Sequence, residues 1–418
     1  MSFVTNALRF ARAPRPTFQG RRWFSCTPAS NLRVLFFGSD KFARAALKPL
    51  IEAYKEPEPS ITDIGVICAE KQIKNPHRPV EKQKITYQAD TEKLAMRHDV
   101  RVENPPPKTL TGWTPLGYDG KPFNGTNGYD VGVVASFGTF IPRRIIEMFP
   151  KGMINVHPSL LPRYRGPSPL QTAILDKVAA TGVTIQEVHP TIMDGGNILL
   201  QAEYTIKDED KIDKIMQETG KLGGELARKC LENLDFVRKH AIAQREDDVT
   251  ITKMMSRINS QIIWETMTAE EINRMHRAFY MQEPVFTFFR TKNKVKLVQL
   301  LELKVADKKK APIDPNYVDC PPGTVFRKKL VPYLEINCID GSRLHVTSFK
   351  VASAKATLDS FQFAAGYIKP KGTMQVLSHP VDTRRPTPEF IYPVGYVKPE
   401  PEGVSNDKPK TKQAGSKE

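Results

Sequence analysis

The hydrophobic pattern divides the chain into two dissimilar halves. In the first, short apolar runs of strand character alternate with helical stretches. Leu32 to Gly38 is the earliest convincing strand, with a helix expected from near Lys41, and Asp63 to Ala69 and Tyr129 to Ser136 supply two more strands. Between Asp208 and Lys239, the residues Ile212, Ile215, Met216, Leu222, Leu226 and Leu231 recur at roughly helical spacing, which predicts a helix closing the unit. Strands alternating with helices predict an α/β fold with a doubly wound, mostly parallel sheet. Beyond the polar stretch Gln244 to Asp248 the pattern changes. One helix over Ala269 to Ala278 is followed by β-rich runs at Val285 to Arg290, Lys294 to Leu301, Gly323 to Phe326, Tyr333 to Asn337 and Leu344 to Lys350, which read as a small barrel. The divisions expected are 31–240, a linker 241–252, a barrel domain 253–372 and a partly disordered tail 373–418.

Two connections stand apart. Glu70 to Lys84 is basic and helix-poor, carrying Lys71, Lys74, Arg78, Lys82 and Lys84. Glu103 to Gly128 is crowded with Pro, Gly, Asn and Asp, which forbids a packed helix.

Charge sharpens the division. Of the net +16 on 418 residues, residues 1–39 carry +6 (six Arg, no Asp or Glu), and 40–250 are neutral, with 29 basic and 29 acidic residues. Residues 251–375 carry +9, from 20 basic and 11 acidic, and the tail +1. An acid-free, Arg-bearing start reads as a mitochondrial transit peptide over residues 1–30, with Arg22-Trp23-Phe24-Ser25 similar to a matrix-protease cleavage site. A disordered basic arm is the plainer alternative. No run of 18 or more apolar residues indicates a membrane span. The cysteines are widely spaced with no C-x-x-C pair, against a disulfide framework or a zinc site.

Candidate chemistry concentrates between Ile154 and Leu199. An apolar strand, Gly152 to Val156, ends with Asn155 and His157 and is followed by a Pro-rich loop and a helix expected over Pro169 to Ala180. Two further β-rich runs, Gly182 to Val188 and Ile198 to Ile206, enclose a turn carrying Asp194, Gly195 and Gly196. Amide, imidazole and carboxylate are what acyl transfer without a covalent intermediate needs: an oxyanion donor, a proton carrier and a group that sets the carrier's charge. Singly, each has an ordinary explanation: a strand-end hydrogen bond, a satisfied core histidine, a turn cap. The turn Gly38-Ser39-Asp40 suits a phosphate only weakly, and one glycine gives a dinucleotide site little support.

The string closely resembles the folate-dependent formyltransferase family, in Asn155-x-His157, Ser159 to Pro162, Tyr164 to Gly166, and Asp194 with Gly196. The resemblance implies a Rossmann-like first domain. It implies Asn155, His157 and Asp194 as catalytic residues, and a folate pocket lined by Ala135, Ser136, Phe137 and Gly138 together with Ser159, Leu160, Leu161 and Pro162. Phe137 stands where the family has a tyrosine, keeping a ring for stacking and losing the hydroxyl. The Arg277-Ala278-Phe279 helix end and the Pro322-Gly323-Thr324 turn resemble the OB-like carboxyl-terminal domain of the members that act on methionyl-tRNA. For such a member the formyl donor is 10-formyltetrahydrofolate, the acceptor is initiator methionyl-tRNA, no metal is required and the compartment is the mitochondrial matrix. A monomer is expected. The tRNA contacts implied are Lys71, Lys74 and Arg78 at the acceptor stem, and Arg290, Lys292, Lys294 and Lys296 on one basic face of the barrel. A formyltetrahydrofolate hydrolase, or a non-catalytic RNA-binding protein on the same scaffold, remain as alternatives.

Overall fold

The computed structural model describes residues 31–379 apart from 70, 75–83, 107–108, 291–293, 308–319, 329, 353 and 369–373. The expected transit peptide and most of the tail therefore lie outside the described residues.

The first domain is built on a seven-stranded sheet. Its strands are β1 (Leu32–Phe37), β2 (Ile61–Ile67), β5 (Arg101–Glu103), β6 (Val131–Val134), β7 (Met153–His157), β8 (Ala180–Glu187) and β9 (Ile198–Thr205), in the order β5-β2-β1-β6-β7-β8-β9. The five from β5 to β7 run parallel, while β8 is antiparallel to both β7 and β9. Both faces of β1 are buried over its apolar run Val34 to Phe37. Val34 and Phe36 enter one core, Leu35 and Phe37 another.

The first core lies under α1 (Lys41–Tyr54) and α5 (Ile212–Glu232). Asp40 begins α1 by accepting the Ala43 N–H at 2.9 Å, so this turn serves as a helix cap. The two helices touch backbone to backbone: a Cβ on Gly224 would lie 2.3 Å from the Ala46 carbonyl. The second face carries little regular structure. It is covered by Leu110, Trp113 and Tyr118 from the Pro/Gly-rich segment, by Tyr129 just after it, and by the single turn α3 (Arg143–Ile146). The basic connection is not simply a loop, since β3 (Lys71–Lys74) pairs with β4 (Lys84–Tyr87) in a hairpin. After it, α2 (Asp90–Arg97) leads into β5.

The expected helix over Pro169 to Ala180 is shorter. As α4 it ends at Leu175, because Lys177 takes the left-handed conformation (φ 54°) and turns the chain into β8. A last short helix, α6 (Leu234–Lys239), follows α5.

The second domain is a closed six-stranded antiparallel barrel. Strands β10 (Phe286–Arg290), β11 (Val295–Val305), β12 (Thr324–Phe326), β13 (Leu334–Asn337), β14 (Arg343–Val351) and β16 (Met374–Leu377) form it in the order β11-β10-β16-β12-β13-β14, and β11 pairs with β14 to close it. The short β15 (Leu358–Asp359) adds to β14 and leads into α8 (Ser360–Tyr367). The boundary expected at 372 is thus misplaced: β16 pairs with both β10 and β12, so the barrel needs residues assigned to the tail. Its apolar content is only Met374, Val376 and Leu377, too short a run to mark a strand in sequence.

The domains share a core. α7 (Ala269–Phe279) packs on α4, and Leu170, Ile174, Ile212 and Ile215 join Trp264, Ile272, Phe289 and Val346 in one apolar cluster. Arg277 fastens the seam by donating from Nη1 to the Asp210 carbonyl at 2.9 Å and to that of Lys207 at 3.3 Å.

Candidate active site

Along β7 the side chains alternate, Ile154 and Val156 entering the core under the helices while Asn155 and His157 stand on the opposite face. Antiparallel pairing sets Gln186 opposite Asn155 and Thr184 opposite His157, which puts a polar patch where an ordinary strand would continue apolar.

Asp194 is the hub of this patch. Its Oδ1 accepts from Asn155 Nδ2 at 3.1 Å and from Gln186 Nε2 at 3.0 Å, and stands 3.4 Å from His157 Nδ1. Its Oδ2 accepts the Gly166 N–H at 2.9 Å. The other ring nitrogen of His157, Nε2, faces the Tyr164 carbonyl at 3.0 Å. The imidazole is 4% exposed, held edge-on between a carboxylate and a carbonyl. Among the described residues the second Asn155 N–H has no protein partner, which leaves it free to donate to a developing oxyanion. Of the three residues read as catalytic, Asn155 and His157 thus both face the carboxylate of the third, Asp194.

Three contacts of this hub lie on left-handed backbone: Asp194 (φ 52°), Tyr164 (φ 60°) and Gly166 (φ 111°). Non-glycine residues there cost on the order of 1 kcal/mol and persist where surroundings fix them. The Tyr164 hydroxyl donates to Asp176 Oδ2 at 3.1 Å, and burial, with Asp176 adding to it, pushes this phenol up to about 12. His189 accepts the N–H groups of Thr191 and Ile192 and shapes the turn before Asp194.

The residues expected in the folate pocket separate into two kinds. At the carboxyl end of β6, Ser136 (φ 43°) and Gly138 (φ 79°) expose backbone, and a Cβ on Gly138 would meet nothing within 4 Å. Phe137 does not stack over an open site. It is buried against Phe37, ring centroids 5.4 Å apart, so the expectation of a stacking ring is corrected to a core role. Ala135 is fully buried.

The segment Ser159 to Pro162 is mostly spent on itself. Ser159 is fully buried with its hydroxyl on the Arg163 carbonyl, Leu161 N–H donates to Thr184 Oγ1, and Gln201 Nε2 donates to the Leu161 carbonyl. Leu161 is core, and Leu160 packs over Gly182, where a Cβ would lie 2.5 Å from its Cδ2. This strip supports the site and has few free groups with which to read a ring edge.

Sequence reasoning missed Gln186, Gln244 and Thr252. Gln186 had a readable signal, being polar in phase with Thr184 while Val183 and Ile185 are apolar. Gln244 and Thr252 had none, since they belong to a segment whose composition marks a linker. Among the described residues no group of three or more His, Cys, Asp or Glu is arranged to hold a metal.

Comparison with known proteins decides the family. Residues 32–230 match the formyl transferase family and residues 254–367 the formyl transferase C-terminal domain. The chain is 31% identical over 343 residues to the mitochondrial methionyl-tRNA formyltransferase of Bos taurus, covering 81% of this chain and 78% of that protein. To the human mitochondrial enzyme it is 30% identical over 372 residues, 86% of each. The chain belongs to the methionyl-tRNA formyltransferase family. A bacterial family member, from Chloroflexus aggregans, is 31% identical over 266 residues, 62% of this chain and 77% of that one. The fold alone is shared with a variant of HypX from Aquifex aeolicus, with a TM-score of 0.50 at 15% identity over 81% of this chain and 48% of that one.

In this family member the basic residues expected at tRNA are dispersed. Lys71 and Lys74 open and close β3, while Arg78 and Lys292 lie outside the described residues. The register pairs Arg290 with Val295 and Phe289 with Lys296, so Arg290 and Lys296 stand on opposite faces of the ladder. Lys296 lies on the face of the buried Phe289, its ammonium 5.5 Å from the Tyr367 ring centroid. The single basic face expected here is corrected to a basic hairpin end with charge on both sides.

Proposed function

We propose that this protein transfers the formyl group of 10-formyltetrahydrofolate to the amino group of initiator methionyl-tRNA, acting in the mitochondrial matrix as a monomer. The observation that carries the reading is the convergence of Asn155, His157 and Asp194 on one seat, in a chain whose two domains both match the formyl transferase family. The amine nitrogen attacks the formyl carbon, and negative charge develops on the formyl oxygen. Asn155 donates its free N–H to that oxygen, and His157 donates from Nε2 once it exchanges the Tyr164 carbonyl for the substrate. Asp194 holds both donors in place. Collapse of the tetrahedral intermediate breaks the bond to folate nitrogen, which takes a proton as the amine loses one. Folate is held by the open backbone at Ser136 and Gly138, beside the carboxyl end of β7. The chemistry uses protein donors on a preorganised seat.

A folate hydrolase has no need of a basic second domain, and the +9 on residues 251–375 favours a large anionic acceptor. Mass spectrometry of methionyl-tRNA incubated with the protein and 10-formyltetrahydrofolate should show N-formylated methionine. Formate released with no modified tRNA would favour the hydrolase. Protein recovered from mitochondria should begin between Phe24 and Asn31; an intact Met1 would remove the transit peptide.

A further inference from the structure

We propose that the interdomain segment Gln244–Thr252 is a strap that sets the catalytic geometry, with Gln244 and Thr252 as its positioning residues. The inference rests on the formyl-transfer reading above. A segment that merely spaces two domains makes few specific bonds and tolerates substitution. This one is bonded to the site along its length.

Gln244 Nε2 donates to the Asp194 carbonyl and to the Gly196 carbonyl, each at 2.8 Å, and lies 3.3 Å from Gln186 Oε1. Its Oε1 accepts from Arg165 Nε at 2.9 Å, and Arg165 in turn pairs with Glu246 at 3.1 Å. One amide thus ties the backbone of the Asp194 turn, the β8 residue that also holds Asp194, and the catalytic loop. Eight residues on, Thr252 does the same for the other side. Its N–H donates to the Arg165 carbonyl at 2.6 Å, its hydroxyl donates to the same carbonyl at 3.1 Å, and that hydroxyl accepts the Ser168 N–H at 3.2 Å. Between them Thr250 accepts the Arg165 N–H on its carbonyl at 2.9 Å and the Tyr164 N–H on its hydroxyl at 2.8 Å.

The loop so held is the one that presents the Tyr164 carbonyl to His157 and the Gly166 N–H to Asp194. The strap passes at contact distance, since a Cβ on Gly166 would lie 2.6 Å from the Thr252 carbonyl. Left-handed residues at 164, 166 and 194 need neighbours that over-determine them, and the strap supplies those neighbours. Ten residues beyond Thr252 the same chain enters the shared core at Ile262 and Trp264, so the strap lies on the covalent path between the barrel and the catalytic loop.

The test is steady-state formyl transfer to methionyl-tRNA by the full chain carrying Gln244→Ala, Gln244→Glu, Thr252→Val or Thr252→Ser. Gln244→Glu keeps an acceptor for Arg165 and loses the donors to 194 and 196, whereas Thr252→Ser keeps the hydroxyl that Thr252→Val removes. Both Gln244 variants should lower kcat about 10- to 100-fold, the effect of misplacing groups by a fraction of an ångström to 1 Å, with either KM changed less than about 3-fold and thermal midpoints nearly unchanged. Thr252→Val should lower kcat about 10-fold, and Thr252→Ser should restore it. Wild-type kcat in Gln244→Ala and Gln244→Glu would overturn the strap. So would a kcat loss matched by loss of folded protein in all variants, or one confined to the KM for tRNA. A wild-type chain that forms no formylmethionyl-tRNA would instead overturn the function on which the proposal rests.

Discussion

Two buried histidines sit in opposite circumstances. His157, on the sheet of the first domain, has the Tyr164 carbonyl 3.0 Å from Nε2 and the Asp194 carboxylate 3.4 Å from Nδ1. His276, in α7 at the seam between the domains, is completely buried, and among the described residues neither of its nitrogens has a hydrogen-bond partner. Burial lowers its pKa to about 4, with the charge of Lys211 acting in the same direction. The difference teaches where polar burial serves chemistry and where it only costs stability. A donor left unmade in an apolar seam costs about 1–3 kcal/mol, while a ring held between two acceptors is oriented for proton and hydrogen-bond work.

The largest effects should come from breaking the satisfied seat. His157→Ala or Asp194→Asn should reduce formyl-transfer turnover by about two to four orders of magnitude, the usual range for lost oxyanion or acid-base groups, with the fold kept because the site lies outside the apolar clusters. Single-turnover rates with circular dichroism of the same samples check this. Turnover near wild type in either variant would take that residue out of the reaction.

The seam should respond to pH. His276 has a folded pKa near 4 against an unfolded value of 6.5, so below 6.5 the unfolded chain binds the proton that the folded chain refuses. Its contribution to stability is therefore complete above about 6.5 and falls away as pH drops toward 4, by about 3 kcal/mol over the window. His276→Leu should flatten that part of the stability curve and leave stability at pH 7 equal or higher, since it removes an unsatisfied polar group without opening a large cavity. Urea midpoints for both proteins at pH 7 and 4.5 decide it; a parallel fall in both would clear His276 of the effect.

How far these regions could be read from the sequence also differs. The doubly wound sheet was legible because β1 and β6 are short apolar runs and α5 carries a clear helical repeat, both local signals. Asn155, His157 and Asp194 were legible as candidates through an ordered string of motifs. The strap was not, because Gln244 and Thr252 act through contacts to residues about 50 to 90 positions earlier, and no periodicity encodes such contacts. β16 escaped for a similar reason: a four-residue strand far from its partners β10 and β12 has no signature of its own. Phe137 and Ser159 were placed beside a ligand and lie instead in the interior, an error of side-chain direction that a strand-end turn with left-handed residues makes easy.

The smallest expected effect concerns the charge of the two domains, and it sharpens the same contrast between a region that does chemistry and one that does not. Residues 40–250 are neutral while 251–375 carry +9, so general attraction to a phosphate backbone belongs to the barrel. Part of that charge is already used: Lys328 pairs with the buried Glu335 at 2.6 Å, and Arg343 pairs with the same carboxylate. Arg290, exposed at the end of β10, and Lys294, exposed just before β11, are the candidates for phosphate contacts. Each contact removed should lower the log-log salt slope of tRNA affinity by roughly one unit. Arg290→Gln with Lys294→Gln should therefore reduce the slope by up to about two and leave folate affinity unchanged. Lys296, with its ammonium over the Tyr367 ring, should matter less in the slope than either. Lys71→Gln with Lys74→Gln, on the hairpin of the first domain, should change discrimination between initiator and elongator tRNA more than the slope. Filter-binding titrations across a salt series measure both double variants and Lys296→Gln, and a slope for the Arg290/Lys294 pair equal to wild type would move the tRNA footprint away from this end of the barrel.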